Sequence, residues 1–250
     1  MPSITIDKRF CGPANSGNGG YVCGLLANHI GTSAEITLRV PPPLGQELDI
    51  VARADGALDL RKGEAVLATG RSACVEISGI PTASYLEAED AVRRTPFDEN
   101  SHRFPTCFVC GPARAAGDGL RIFAGPLSTR ADQKNGAFAA SWVPDGNLAG
   151  NDGSLAAEFV WAALDCPTGY AVTQNLVLNA AEIILLGRMS ARIDQRPKPG
   201  DRCIVVAWPT GRDGRKLFAG SALLRTDGEV LAVAQATWLL VDRHGQPGKR

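Results

Sequence analysis

Apolar residues in the first part of the chain follow two spacings, one typical of a buried helix and one typical of strands. Residues 21–30 are apolar on nearly every side, so a helix there should be buried. Asn18-Gly19-Gly20 is suited to the start of this helix and Gly31 to its end. Shorter apolar runs separated by turn residues then predict strands over residues 34–40, 47–54, 57–61 and 65–77. This order indicates an antiparallel sheet curled around one helix.

The second part of the chain repeats this order of elements. Residues 155–166 are predicted as a helix, which Asp152 or Ser154 is suited to cap and Pro167 with Gly169 to end. Strands are predicted over residues 120–123, 137–142, 182–193, 202–208, 216–225 and 230–241. Each half therefore consists of one helix and several strands.

An internal repeat supports this division into halves. Gly45 and Gly200 are separated by the same number of residues as Val51 and Val206. The two valines lie in the apolar runs that follow the two glycines. A shared offset of this kind is not expected of unrelated stretches. The sequence thus predicts an N-terminal unit, a charge-rich linker and a C-terminal unit over residues 1–86, 87–118 and 119–250.

Composition narrows the class of protein. With 44% hydrophobic and 21% charged residues, the chain is typical of a globular protein with a sizeable core. Basic and acidic residues are equal at 26 each, so no overall field predicts nucleic acid or an anionic membrane as a partner. The start of the chain lacks the apolar run of a signal peptide, and no stretch has the roughly 18 apolar residues of a membrane helix. A cytoplasmic protein is expected.

The seven cysteines are an odd number without a repeated spacing, which predicts reduced thiols rather than a disulfide framework. Cys107 and Cys110 form a single CxxC pair, whereas a structural zinc site usually has four ligands. His102 lies close enough in sequence to supplement them, but a tightly packed turn is the favoured interpretation. No metal ion and no cofactor are predicted.

The segment after the linker resembles a known family. CFVCGP at 107–112 and GLRI at 119–122 are similar to the opening of many hotdog-fold thioesterases, and Trp142-Val143-Pro144 and Leu164-Asp165 also resemble them. The first half, with Gly19-Gly20 before its helix, resembles the N-terminal half of tandem acyl-CoA thioesterases. The resemblance implies an α+β tandem double hotdog, with two antiparallel sheets that each wrap around a central helix.

The resemblance also implies an activity, the hydrolysis of an acyl thioester by a helix carboxylate that acts as base or nucleophile. Backbone N–H groups at a helix N-terminus would polarise the thioester carbonyl, and such groups are unsatisfied donors at a positive dipole end. Asp165 stands where the family's carboxylate falls and is the first candidate. Glu158, two helical turns earlier on the same face, is the second. Trp161 is a candidate for the wall of an acyl tunnel.

The chain departs from the family pattern at the start of its second helix. Family members usually carry His-Gly-Gly nine residues before the aspartate, where this chain has Ala156-Ala157-Glu158. The first helix keeps the Gly-Gly pair but has no carboxylate. We therefore expect one composite site, in which Asn18, Gly19 and Gly20 bind substrate and Asp165 or Glu158 acts on it.

Three functions stay open on the sequence. The first is hydrolysis of an acyl-CoA or another acyl thioester. The second is a dehydratase or hydratase, which in this superfamily needs a helix histidine, but the second helix has none and His29 lies at the wrong end of the first. The third is a non-catalytic protein that binds an acyl thioester or small ligand, in which Asp165 only satisfies backbone donors. Assembly into a homo-oligomer is compatible with each.

Overall fold

The computed structural model describes residues 2–127, 136–174, 176, 178 and 181–242. Its helices are α1 (Gly19–Ala27), α2 (Tyr85–Val92) and α3 (Ala157–Thr173). Its strands are β1 (Ser3–Thr5), β2 (Ser33–Leu38), β3 (Glu47–Ala52), β4 (Leu58–Lys62), β5 (Ala65–Ser72), β6 (Gly125–Pro126), β7 (Phe138–Trp142), β8 (Glu182–Ile193), β9 (Cys203–Asp213), β10 (Lys216–Arg225) and β11 (Val230–Asp242). None of these helices combines the length and the apolar character needed to cross a membrane.

The strands form one antiparallel sheet in the order β1-β3-β4-β5-β2-β8-β11-β10-β9-β7-β6. The two halves mirror each other, because β1-β3-β4-β5-β2 corresponds to β7-β9-β10-β11-β8. At the junction of the halves Glu35 lies opposite Ser190, and these residues are 155 positions apart. This is also the offset between Gly45 and Gly200. Glu35 and Ser190 thus occupy equivalent positions in the two halves. A residue that pairs with the equivalent residue of the other half lies on a local two-fold axis.

The prediction of an antiparallel α+β fold is confirmed, but the two predicted sheets form one continuous sheet. Strands β2 and β8 pair from Ser33 opposite Arg192 to Thr37 opposite Arg188, which joins the halves into one sheet. The pairing satisfies backbone groups that would otherwise be exposed along two open edges. The tandem chain thereby covers both edges with its own residues.

Helix α3 is longer than predicted and begins differently. It continues through Pro167 to Thr173, and nearly all of its side chains, including those after Pro167, are buried. Packing on both sides of the proline thus outweighs the roughly 3 kcal/mol that an interior proline costs. The predicted caps are also corrected, since Ala156 is the N-cap without a side-chain bond. Asp152 instead accepts the N–H of Ser154 in the preceding turn.

The segment between the halves contains structure that the sequence did not predict. Helix α2 has Ser84 as its N-cap, and Ser84 and Glu87 form a capping box. The predicted strand over residues 120–123 is absent, and the short strand β6 follows it. Residues 107–110 are buried in the main hydrophobic core, so this part of the predicted linker belongs to the packed interior.

Helices α1 and α3 pack against each other in opposite directions, with almost no space between their backbones. A Cβ atom on Gly20 would lie 2.5 Å from Asp165 Cβ and 2.8 Å from the carbonyl oxygen of Trp161. A Cβ atom on Gly24, one turn later on the same face, would lie 2.5 Å from Glu158 Cα. Only glycine permits this approach without displacing backbone.

We predict that Gly24→Ala destabilises the protein by about 1–3 kcal/mol, because the added methyl group forces the helix backbones apart. Alanine forms helices more readily than glycine, so any loss of stability must come from the contact between α1 and α3. Denaturant unfolding would measure it, with Gly146→Ala as the control since nothing lies within 4 Å of that position. Equal stability of Gly24→Ala and wild type would contradict the close packing.

Candidate active site

Asp165 lies in the middle of α3 and faces the N-terminus of α1. The residue is 1% exposed. Its Oδ2 atom accepts the backbone N–H of Gly20 at 2.9 Å and the side-chain amide of Asn18 at 3.1 Å. Its Oδ1 atom is buried and has no hydrogen-bond partner among the described residues. One carboxylate oxygen is therefore fixed by donors, and the other is left available.

Asn18 joins the helix end to the carboxylate. As N-cap of α1 it accepts the N–H of Tyr21 on Oδ1 at 2.9 Å, and this bond orients its amide. The Nδ2 atom then points to Asp165 and also lies 3.9 Å from the sulfur of Cys107 and 3.8 Å from that of Cys166. One side chain thus contacts the helix end, the carboxylate and two thiols.

Burial raises the pKa of Asp165 to about 7, although the hydrogen bonds from Gly20 and Asn18 favour the ionised form. Desolvation dominates because the side chain is removed from water and faces only two donors. A carboxyl group in this range exchanges its proton near neutral pH.

Gly19 provides a further donor at the same helix end. The first N–H groups of a helix have no intrahelical acceptors. The N–H of Gly20 is bonded to the carboxylate and the next two N–H groups to Asn18, whereas no acceptor among the described residues is assigned to the N–H of Gly19. Gly19 is half-buried, and the side chains of Leu38 and Leu186 lie beside it. An unoccupied donor therefore lies next to an apolar surface.

The structure places Glu158 at the opposite end of the helix pair. Its Oε2 atom accepts the side-chain amide of Asn28, the C-cap of α1, at 2.9 Å. Seven residues of helix separate it from Asp165, a distance of about 10 Å along the axis. The two candidate carboxylates therefore do not share one site. Trp161 lies between them, 1% exposed, and packs in the core against α1.

The structure also brings Cys166 of α3 against the CxxC pair formed by Cys107 and Cys110. The sulfur atoms of Cys107, Cys110 and Cys166 lie within 4.8 Å of one another. Gly111 closes the turn by donating its N–H to the carbonyl of Cys107 at 2.8 Å. The glycine after the CxxC pair indicated this tight turn. Nothing in the sequence indicated that Cys166 would pack against it.

Solved structures of other proteins share this architecture over nearly the whole chain. One is the acyl-CoA thioesterase II TesB2 of Mycobacterium marinum, with a TM-score of 0.61, 10% identity, and coverage of 97% of this chain and 93% of that chain. The chain has the fold of these thioesterases. The TesB protein of Mycobacterium avium subspecies paratuberculosis aligns with a TM-score of 0.58 and 14% identity over 92% of this chain and 89% of that chain.

The resemblance to hotdog-fold thioesterases is thus confirmed for the fold. No protein-family model matches the sequence, and no curated protein matches it either. Asp165 lies on α3 and Asn18 is the N-cap of α1, so the candidate site lies where these two helices meet.

We predict that Asn18→Asp lowers stability at pH 8 by at least about 2 kcal/mol. The new side chain keeps an oxygen for the cap, but it replaces the donor to Asp165 with a second carboxylate. Asn18→Ser keeps the cap without adding charge and should cost less. Denaturant unfolding of both variants, and of Asn18→Asp combined with Asp165→Asn, would measure the difference. Absence of recovery in the double variant would contradict the proposed contact.

Proposed function

We propose that the protein hydrolyses an acyl thioester, such as an acyl-CoA, with Asp165 as the general base and the N-terminus of α1 as the donor to the thioester carbonyl. The observation that carries this proposal is the buried, unpartnered Oδ1 atom of Asp165 beside that helix end. A carboxylate, a set of N–H donors and a water molecule are sufficient for this chemistry.

The free carboxylate oxygen supports a chemical role because it is costly as a packing feature. Leaving a buried polar atom without a partner costs about 1–3 kcal/mol, and more when the group is charged. Buried polar atoms are therefore paired in most proteins. An asparagine at position 165 would accept the same bonds from Gly20 and Asn18 without burying a charge. A carboxylate in this place suits the acceptance of a proton from water.

The proposed reaction uses the two oxygens of Asp165 differently. Oδ2 stays bonded to Gly20 and Asn18, while Oδ1 takes a proton from a water molecule as its oxygen attacks the thioester carbonyl carbon. The N–H of Gly19 donates to the carbonyl oxygen as negative charge develops on it. The carbon–sulfur bond then breaks, and the leaving thiolate takes the proton from Asp165. The products are a carboxylic acid and a free thiol.

The substrate is proposed to approach from the side of Gly19. Asp165 is 1% exposed, so water reaches Oδ1 only when the surrounding side chains move. Gly19 is half-buried and has Leu38 and Leu186 as neighbours. These apolar side chains suit contact with an acyl chain. CoA is proposed as carrier because the similar protein from Mycobacterium marinum is named an acyl-CoA thioesterase.

One observation favours a second candidate function, the binding of an acyl thioester or another small ligand without hydrolysis. The N–H of Gly20 donates to the carboxylate itself, so a principal donor of the helix end is occupied by the candidate base. In a binding protein this bond would be a permanent link between the two helices. Thiol release from acyl-CoAs distinguishes hydrolysis from binding without hydrolysis.

We predict that Asp165→Asn lowers kcat by at least about 100-fold, measured with the acyl-CoA that wild type hydrolyses fastest. This is the usual range for loss of a general base. Thiol release from short, medium, long and aromatic acyl-CoAs would measure it, with a thermal melt to verify folding. Asp152→Asn is the control, because that exposed carboxylate lies in the turn before α3. Glu158→Gln tests the second candidate and should retain most of the activity.

Two outcomes would contradict this assignment. Loss of turnover in Glu158→Gln with retention in Asp165→Asn would move the base to the other end of the helix pair. Absence of thiol release from every acyl-CoA by wild type, together with binding of the same compounds, would support the binding function instead.

We also predict that Gly19→Pro lowers kcat about 100-fold relative to Gly19→Ala. Both substitutions place a Cβ atom 2.9 Å from Leu186 Cδ2, but only proline removes the N–H. Proline is accepted at the first position of a helix, and Asn18 has the extended backbone that precedes proline favourably. Steady-state thiol release would measure the ratio. Equal activity of the two variants would exclude this N–H as a donor.

A further inference from the structure

Three buried thiols meet beside the candidate site and are not used by the proposed hydrolysis. Cys107 and Cys110 lie in the turn between the halves, and Cys166 lies on α3. Their residues are 3%, 5% and 8% exposed, and their sulfur atoms all lie within 4.8 Å of one another. All three are free cysteines.

The spacing of the sulfur atoms fits a shared metal ion. The sulfur atoms of Cys107 and Cys166 are 3.8 Å apart. Thiolates that bind zinc tetrahedrally, with Zn–S distances of about 2.3 Å, have their sulfur atoms about 3.8 Å apart. A disulfide bond would bring them to about 2.05 Å. The two sulfurs therefore already have the separation of zinc ligands.

A hydrogen-bond donor lies beside two of these sulfur atoms. The amide of Asn18 lies within 3.9 Å of the sulfurs of Cys107 and Cys166. Donors of this kind stabilise and orient thiolate ligands in metal sites.

The turn itself is shaped to present two sulfurs in one direction. A Cβ atom on Gly111 would lie 2.4 Å from the carbonyl oxygen of Cys107 and 2.5 Å from that of Pro105. Only a glycine at this position lets the chain fold back so closely after the CxxC pair. Tyr170 lies one turn of α3 after Cys166, and its hydroxyl oxygen is 3.0 Å from Nε2 of His102.

We propose that Cys107, Cys110 and Cys166 bind one Zn²⁺ ion. Three soft thiolate ligands select zinc among the common divalent cations, and the fourth coordination position is assigned to a water molecule. The ion fastens the segment between the two halves to α3 and fixes the position of Asn18. This site stands independently of thioester hydrolysis.

Metal analysis of the purified full-length protein tests the proposal. We expect about one zinc per chain, lost in Cys107→Ser, Cys110→Ser and Cys166→Ser. The matched control is Cys203→Ser, because Cys203 is also buried, at 1% exposed, and lies outside the group. Circular dichroism of each variant separates loss of metal from loss of fold.

A second measurement on wild type does not depend on the folding of variants. Protein stripped by a chelator under reducing conditions and titrated with Co²⁺ should develop a thiolate-to-cobalt charge-transfer band that saturates at one equivalent. Addition of Zn²⁺ should then abolish the band and raise Tm. The proposal is overturned if stripped wild type takes up neither ion, if Cys166→Ser retains full metal content, or if peptide mapping finds Cys107 and Cys166 joined as a disulfide.

Discussion

The arrangement of the site depends on the close contact between α1 and α3. Gly20 and Gly24 remove the side chains that would separate the helices, so that their backbones meet near Asp165 at one end and near Glu158 at the other. Because the contact is this close, the N–H of Gly20 reaches the carboxylate directly. A larger residue at either glycine would move the N–H of Gly20 away from the carboxylate of Asp165. The close contact between the helices therefore determines both their packing and the geometry of the site.

This contact also explains how a carboxylate is accommodated in the core. Removing a charged group from water is costly unless donors compensate for it. Gly20 and Asn18 provide two donors, both on the same oxygen of Asp165. The other oxygen remains without a partner. The site therefore retains a destabilising feature, as expected where stability is given up for function.

Much of the fold followed from local patterns in the sequence. The strands β8 and β10 begin and end where alternation and turn residues placed them, since short-range rules govern hairpins. The repeat predicted the symmetry that places Glu35 opposite Ser190. Continuation of α3 past Pro167 was not predictable, because it depends on burial against a sheet that forms from distant strands.

The site was predictable in part. The Asn18-Gly19-Gly20 segment and Asp165 were named from their resemblance to a family pattern, and the structure brings them together across two helices. Which of the two carboxylates meets the N-terminus of α1 could not be foreseen, because helical periodicity places Glu158 and Asp165 on one face without showing how α1 packs against it. The approach of Cys166 to Cys107 likewise depends on the packing of the intervening segment against α3.

A crystal structure with a ketone analogue of an acyl-CoA, in which a methylene group replaces the sulfur, tests the central claim most directly. The account predicts that the analogue's carbonyl oxygen lies about 2.7–3.1 Å from the backbone nitrogen of Gly19, with its carbonyl carbon facing Oδ1 of Asp165. An analogue bound with its carbonyl group away from the N-terminus of α1, while Asp165 stays enclosed, would contradict the assignment of this carboxylate as the catalytic base.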